Sequence, residues 1–131
     1  QSPVICRTKL LSPLENQMCC LSRQISDQTI GKKNFKQLAA DINGLMLSYS
    51  HYKDLLTTGD NNLENMKSFF ETFAITMCED SSHDLIGLRS SSFQQYHEFS
   101  VNDILRNSEE FSKIYQCPRG SKMNPVNQCT F

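Results

Sequence analysis

Leu14, Met18, Leu21 and Ile25 recur at the three- and four-residue spacing that gathers apolar side chains on one face of an α-helix. Ahead of them, Ser12-Pro13-Leu14-Glu15 combines an N-cap serine, a proline at the first helical position and a glutamate that closes a capping box. The two signals predict a first helix over 13–30, ended by Gly31 as C-cap. A second stripe, Phe35, Leu38, Ile42, Leu45, Tyr49, Tyr52 and Leu56, keeps the same period up to Thr57-Thr58-Gly59. Asn43-Gly44 lies inside it, and a mid-helix glycine costs up to about 1 kcal/mol relative to alanine, so a long helix with a bend is expected there. Asn61 with Glu64 caps a third helix over 62–79, whose face carries Leu63, Met66, Phe70, Phe73 and Met77 and whose end carries Cys78.

Residues 80–99 break the pattern, because Ser81-Ser82, Gly87 and Ser90-Ser91-Ser92 interrupt the short apolar pieces. A loop this long inside a compact domain is a crossover or a binding loop. Ser100-Val101-Asn102-Asp103 then starts a last helix with Val101, Ile104, Leu105, Ser108, Phe111 and Tyr115 on one face. Beyond Tyr115, Pro118, Gly120 and Pro125 exclude helix, and residues 117–129 are expected to close as a disulfide-bounded loop. No strand pattern or internal repeat competes. The fold class is all-α, a four-helix bundle with a long loop before its last helix, in one domain over 1–131.

Six cysteines change the picture: Cys6, Cys19, Cys20, Cys78, Cys117 and Cys129. An even, scattered set without any Cys-x-x-Cys pair reads as about three disulfides rather than a metal centre, and disulfides persist in an oxidising compartment. Cys19 and Cys20 cannot readily bond each other, so each is expected to reach a different partner. Gln1 fits the mature end left by a signal peptide, and no apolar run approaches the roughly 20 residues of a membrane span. A secreted, extracellular protein is predicted.

Net charge is −1, which gives no basic field for nucleic acid or acidic membranes. Catalytic patterns are missing too: serines are plentiful without a Gly-x-Ser-x-Gly elbow, and the glycines do not cluster into a phosphate loop. His83-Asp84 reads as solvated surface rather than a base with its orienter, and His51, His83 and His97 sit too far apart to be read as a metal set. Cys19-Cys20 and His83-Asp84 do not reproduce the secreted phospholipase A2 pattern, since no glycine-rich calcium loop precedes them. No cofactor, no metal and no enzyme activity are predicted. Lys32, Lys33 and Lys36 form a small cationic cluster that offers contact to a glycosaminoglycan. No Asn-x-Ser/Thr sequon occurs.

In build, four amphipathic helices with several bridges and a long final connection, the chain resembles the short-chain helical cytokines and growth factors. About four residues separate the first two stripes, a link shorter than that family's first crossover. The cysteine pair ahead of long helices is also similar to the N-terminal lobe of glypicans, a likeness that ranks lower. The cytokine resemblance implies a ligand for a cell-surface receptor. Its contact residues would stand opposite the core stripes: Arg23 and Asp27 with Gln17 and Gln24 on the first helix, and Arg106, Glu110 and Lys113 with Asn102 and Glu109 on the last. A venom- or parasite-type effector that blocks a host receptor shares the same physics. The alternative is a carrier of lipid, because Met18, Met46, Met66 and Met77 can line an adaptable apolar pocket.

Overall fold

A computed structural model describes residue 6 and residues 10–25, 35–56, 62–83 and 101–131, with 78–83 described by their backbone alone. Over these residues the chain is all-α. Its elements are α1 (Pro13–Gln24), α2 (Phe35–Leu55), α3 (Leu63–His83), α4 (Val101–Leu105) and α5 (Glu109–Ile114). The only bridge outside the helices among the described residues joins Ser121 to Asn124 in the tail.

The start of α1 follows its sequence signal. Glu15 N–H donates to Ser12 Oγ at 3.2 Å, and Ser12 N–H donates to Glu15 Oε1 at 3.0 Å, so two N-terminal amides are satisfied reciprocally. The Ser12 backbone N–H first, and then the Ser12 side chain, favour the ionised glutamate and hold its carboxyl below the ordinary 4.5. The helix stops at Gln24 rather than running to 30, because Ile25 turns to an extended conformation and its N–H returns to Leu21 O at 3.0 Å. The expected Gly31 cap lies outside the described residues. By contrast, α2 continues through Asn43-Gly44 as one helix, and α3 runs to His83, one turn past its predicted end. Asn62 Oδ1 caps α3 by accepting from Asn65 N–H at 2.9 Å.

The predicted last helix is two short ones. Ser108, expected on an apolar face, is instead the N-cap of α5 and accepts from Phe111 N–H at 3.1 Å. The break has a tertiary cause, because the Asn107 side chain is fully buried and used from three directions. Its amide exchanges two hydrogen bonds with Gln24, at 2.8 and 2.9 Å, its Nδ2 also donates to Asp103 O at 2.9 Å, and its Oδ1 accepts from Cys129 N–H at 2.8 Å. A continuous helix would carry that amide out of reach. The described residues thus hold five helical elements, the expected last helix being divided in two, within the predicted all-α class.

One core joins them. Leu21 of α1, Leu38, Ala39, Ile42, Leu45 and Tyr49 of α2, Phe70 of α3, Ile104 and Leu105 of α4, and Ile114 of α5 are buried together with Cys129. Burial of each large aliphatic or aromatic side chain contributes about 1.5–3 kcal/mol. Met18, Met66 and Met77 pack on this core, whereas Met46 is 41% exposed, which removes one wall of the methionine pocket expected for a lipid carrier.

Among the described residues two disulfides are formed, Cys6–Cys19 and Cys20–Cys129. The adjacent cysteines do take different partners, as expected. Cys117 carries a free, half-buried thiol, and the Cys78 side chain lies outside the described residues, so two of the about three expected bridges are seen among the described residues. Cys129 bonds Cys20, so the tail is drawn onto α1 rather than closed on Cys117. Turn geometry shapes the tail instead: Gly120 takes φ 90°, which glycine adopts freely, and donates to Asn124 O at 2.7 Å.

Candidate functional site

Helices α2 and α3 are tied at one end by Tyr52, whose hydroxyl donates to Asn65 O at 3.2 Å. Near that tie, Tyr49, Phe69 and Phe70 pack together with ring centroids 5.0–5.3 Å apart, Tyr49 stacked on Phe70 and Phe69 edge-on to both. Of these rings, Phe69 reaches the groove between the helices. The groove holds about 560 Å³, a size typical of ligand sites. Small and hydroxyl-bearing residues line both sides: Ala40, Gly44 and Ser48 on α2, and Ser68, Thr72 and Thr76 on α3. Leu45, Phe69 and Phe73 supply its apolar surface, and among the described residues Asp41 is its one charged lining residue.

Asp41 accepts from Gln37 Nε2 at 3.2 Å, a bond that favours its carboxylate. Loss of water in the groove outweighs that bond and raises the carboxyl above the ordinary 3.8. Tyr49 is 3% exposed, and its hydroxyl has no hydrogen-bond partner among the described residues. Burial first, then Glu110 and Tyr52, raise its phenol above the ordinary 10.0, so it stays neutral. Among the described residues no histidine or cysteine lines the groove.

The sequence-predicted contact residues do not gather here. Arg23 and Lys113 are exposed on α1 and α5, with Lys113 paired to Glu109 at 3.3 Å. Arg106, in the turn after α4, is held by Asp103 at 3.3 Å, and Glu110 is half-buried on α5. Asp27, Lys32, Lys33 and His97 lie outside the described residues, while Lys36 and His51 are exposed on α2. Gln17, placed on the exposed face of the first helix by its polarity, is 1% exposed. Its amide exchanges hydrogen bonds of 2.9 and 3.0 Å with Asn43 and also reaches Cys129 O at 3.3 Å, so it is an internal tie. Asp41 was missed. Its signal was a second stripe, Asp41, Gly44 and Ser48 facing Ser68, Thr72 and Thr76, small and polar beside the apolar stripes.

Comparison with known proteins decides the family. Residues 9–131 match the profile of Peptidase family M13. The chain belongs to that family. An endothelin-converting enzyme homolog of Locusta migratoria is 32% identical over 84% of this chain and 17% of its own length. Neprilysin-3 of Drosophila melanogaster is 28% identical over 84% of this chain and 16% of its own, and endothelin-converting enzyme 1 of Homo sapiens is 31% identical over 88% and 17%. The M13 chain thus spans about one sixth of the length of the curated relatives it matches. No solved structure matches it.

This membership overturns the cytokine and growth-factor reading, and with it the receptor ligand, the receptor-blocking effector, the cell-surface receptor partner with its glycosaminoglycan contact, the lipid carrier and the exclusion of enzymes. Helical build with bridges is shared by many secreted proteins, so architecture alone could not separate a ligand from part of a peptidase. The two disulfides fit an extracellular setting. No described helix is long and apolar enough to cross a membrane. The described residues contain no group of three or more metal-ligating side chains, and the sequence contains no His-x-x-x-His pair. The residues in view thus do not fit a catalytic metal, and no chemical step is assigned to one.

Proposed function

We propose that this chain serves peptide hydrolysis as the helical, disulfide-bonded part of an extracellular M13-family peptidase, and that the α2–α3 groove is its peptide-facing surface. The observation that carries the reading is the family match over nearly the whole chain. The groove supports it physically, because apolar walls interleaved with hydroxyls suit a peptide, which offers apolar side chains and backbone amides together. Secretion belongs to the same reading and is supported by the Cys6–Cys19 and Cys20–Cys129 bonds. So does a single folding unit over 1–131, supported by a bond that spans a sequence separation of 109.

Antibodies to the tail around Arg119–Asn127 would capture the native polypeptide that carries this chain. The captured material is incubated with a defined peptide mixture, with and without a chelator, and the products are read by mass spectrometry. Cleavage into two fragments whose summed mass exceeds the parent by one water, and its loss in chelator, is expected. Intact peptides throughout would overturn the proposal.

A further inference from the structure

We propose that the α2–α3 groove binds a short peptide bearing a lysine or arginine, with the cation at Asp41 and the neighbouring apolar side chains on Phe69 and Phe73. The inference deepens the peptidase reading and rests on it for the class of ligand. Asp41 is half-buried, and its carboxylate is met by a neutral donor, the Gln37 amide at 3.2 Å. The ion pairs among the described residues are Asp103–Arg106 and Glu109–Lys113, neither of which includes Asp41. A carboxylate partly stripped of water with only a neutral partner gains most from a cation that arrives with a ligand.

Two lysines of these helices, Lys53 and Lys67, lie over aromatic rings, while Lys36 is exposed near the start of α2. Lys53 Nζ lies 5.7 Å from the centre of the Tyr49 ring, and Lys67 Nζ lies 5.3 Å from that of Tyr115. One turn from Asp41, a Cβ built on Gly44 would meet nothing within 4 Å, so a peptide backbone can approach the helix closely at that point. Ser48 and Thr72 place hydroxyls on the two sides of that approach, within the same groove as the apolar faces of Phe69 and Phe73. Charge, open backbone and apolar walls thus lie in one groove. The raised carboxyl of Asp41 agrees, since it records the water lost on burial in the groove, only partly offset by the Gln37 bond.

The test is binding, not cleavage, so it stands or falls separately from the hydrolysis assay. Fluorescein-labelled Ala-Phe-Arg-Phe-Ala and its Glu-centred counterpart are titrated with the oxidised 131-residue protein and read by anisotropy. The Arg peptide should bind at least about tenfold more tightly. Asp41→Asn should remove that preference, Gly44→Leu should weaken both peptides by filling the approach, and Arg23→Ala on α1 should change neither. Circular dichroism melts matched to the parent confirm that each variant folds. Equal affinity for the two peptides, or a preference that survives Asp41→Asn, overturns the proposal. So does a dimer in sedimentation that Gly44→Leu dissociates, because the groove would then belong to a second copy.

Discussion

Removing the Cys20–Cys129 bond should destabilise the fold by about 5 kcal/mol, against about 3 kcal/mol for Cys6–Cys19. The estimate follows from loop length alone. In the chain-entropy treatment a cross-link restricts the unfolded chain by an amount that grows with the logarithm of the loop it closes. The sequence separations here are 109 and 13, which gives about 4.8 and about 2.9 kcal/mol at room temperature. The two bridges form a fair comparison, because each joins a buried cysteine, Cys129 or Cys19, to a half-buried one, so the local cost of alanine is similar. Hydrogen bonds push the same way, since Gln17 and Asn107 hold the backbone of Cys129 and lose that grip when the tail is released. The paired variants Cys20→Ala/Cys129→Ala and Cys6→Ala/Cys19→Ala are unfolded in urea under far-ultraviolet circular dichroism, with slopes compared to confirm similar exposed surface. Equal losses, or a larger loss for the short loop, would refute the loop-length argument and point to residual structure in the unfolded chain.

The Gln17–Asn43 amide pair should behave as a closed unit: Gln17→Leu or Asn43→Leu alone strands a buried partner and costs about 1–3 kcal/mol, while the double variant costs less than the sum, measured as a double-mutant cycle. Ser12→Ala should cost about 0.5–2 kcal/mol through loss of the cap on α1, read from the same urea curves, and an unchanged midpoint would mean the capping box contributes nothing. Glu15 fixes the sign of one acid effect. Its folded carboxyl lies below the ordinary 4.5, so its contribution is complete above that value and is lost as pH falls through the lower folded one. Glu15→Gln should therefore flatten the acid limb of the stability curve, and coincident limbs for the two proteins would refute the assignment.

What the sequence made legible was local. The capping box at Ser12 and the stripe from Phe35 to Leu56 located α1 and α2 because both signals depend on residues within a turn or two. Features set by distant partners were not legible. Asn107 interrupts the last helix because Gln24 and Cys129 use its side chain from across the fold, and nothing within a few residues announces that. Gln17 reads as a surface residue by polarity and is buried because Asn43 completes its amide. Asp41 went unmarked because a single acid on a helix is ordinary, and it gains meaning only when α3 brings Phe69, Thr72 and Phe73 alongside. Family membership was hidden for another reason: no compact catalytic motif stands in these residues, and the likeness to M13 peptidases is spread over 9–131.

The central claim, that this member of a peptidase family meets peptides in the α2–α3 groove, is tested most directly by photo-crosslinking. A peptide with benzoylphenylalanine beside arginine is irradiated with the oxidised protein, and the modified residues are mapped by mass spectrometry. The account predicts adducts confined to residues 41–52 of α2 and 68–76 of α3, competed away by the unlabelled peptide. Adducts on α1 or α5 instead, or labelling that competitor does not reduce, would contradict it.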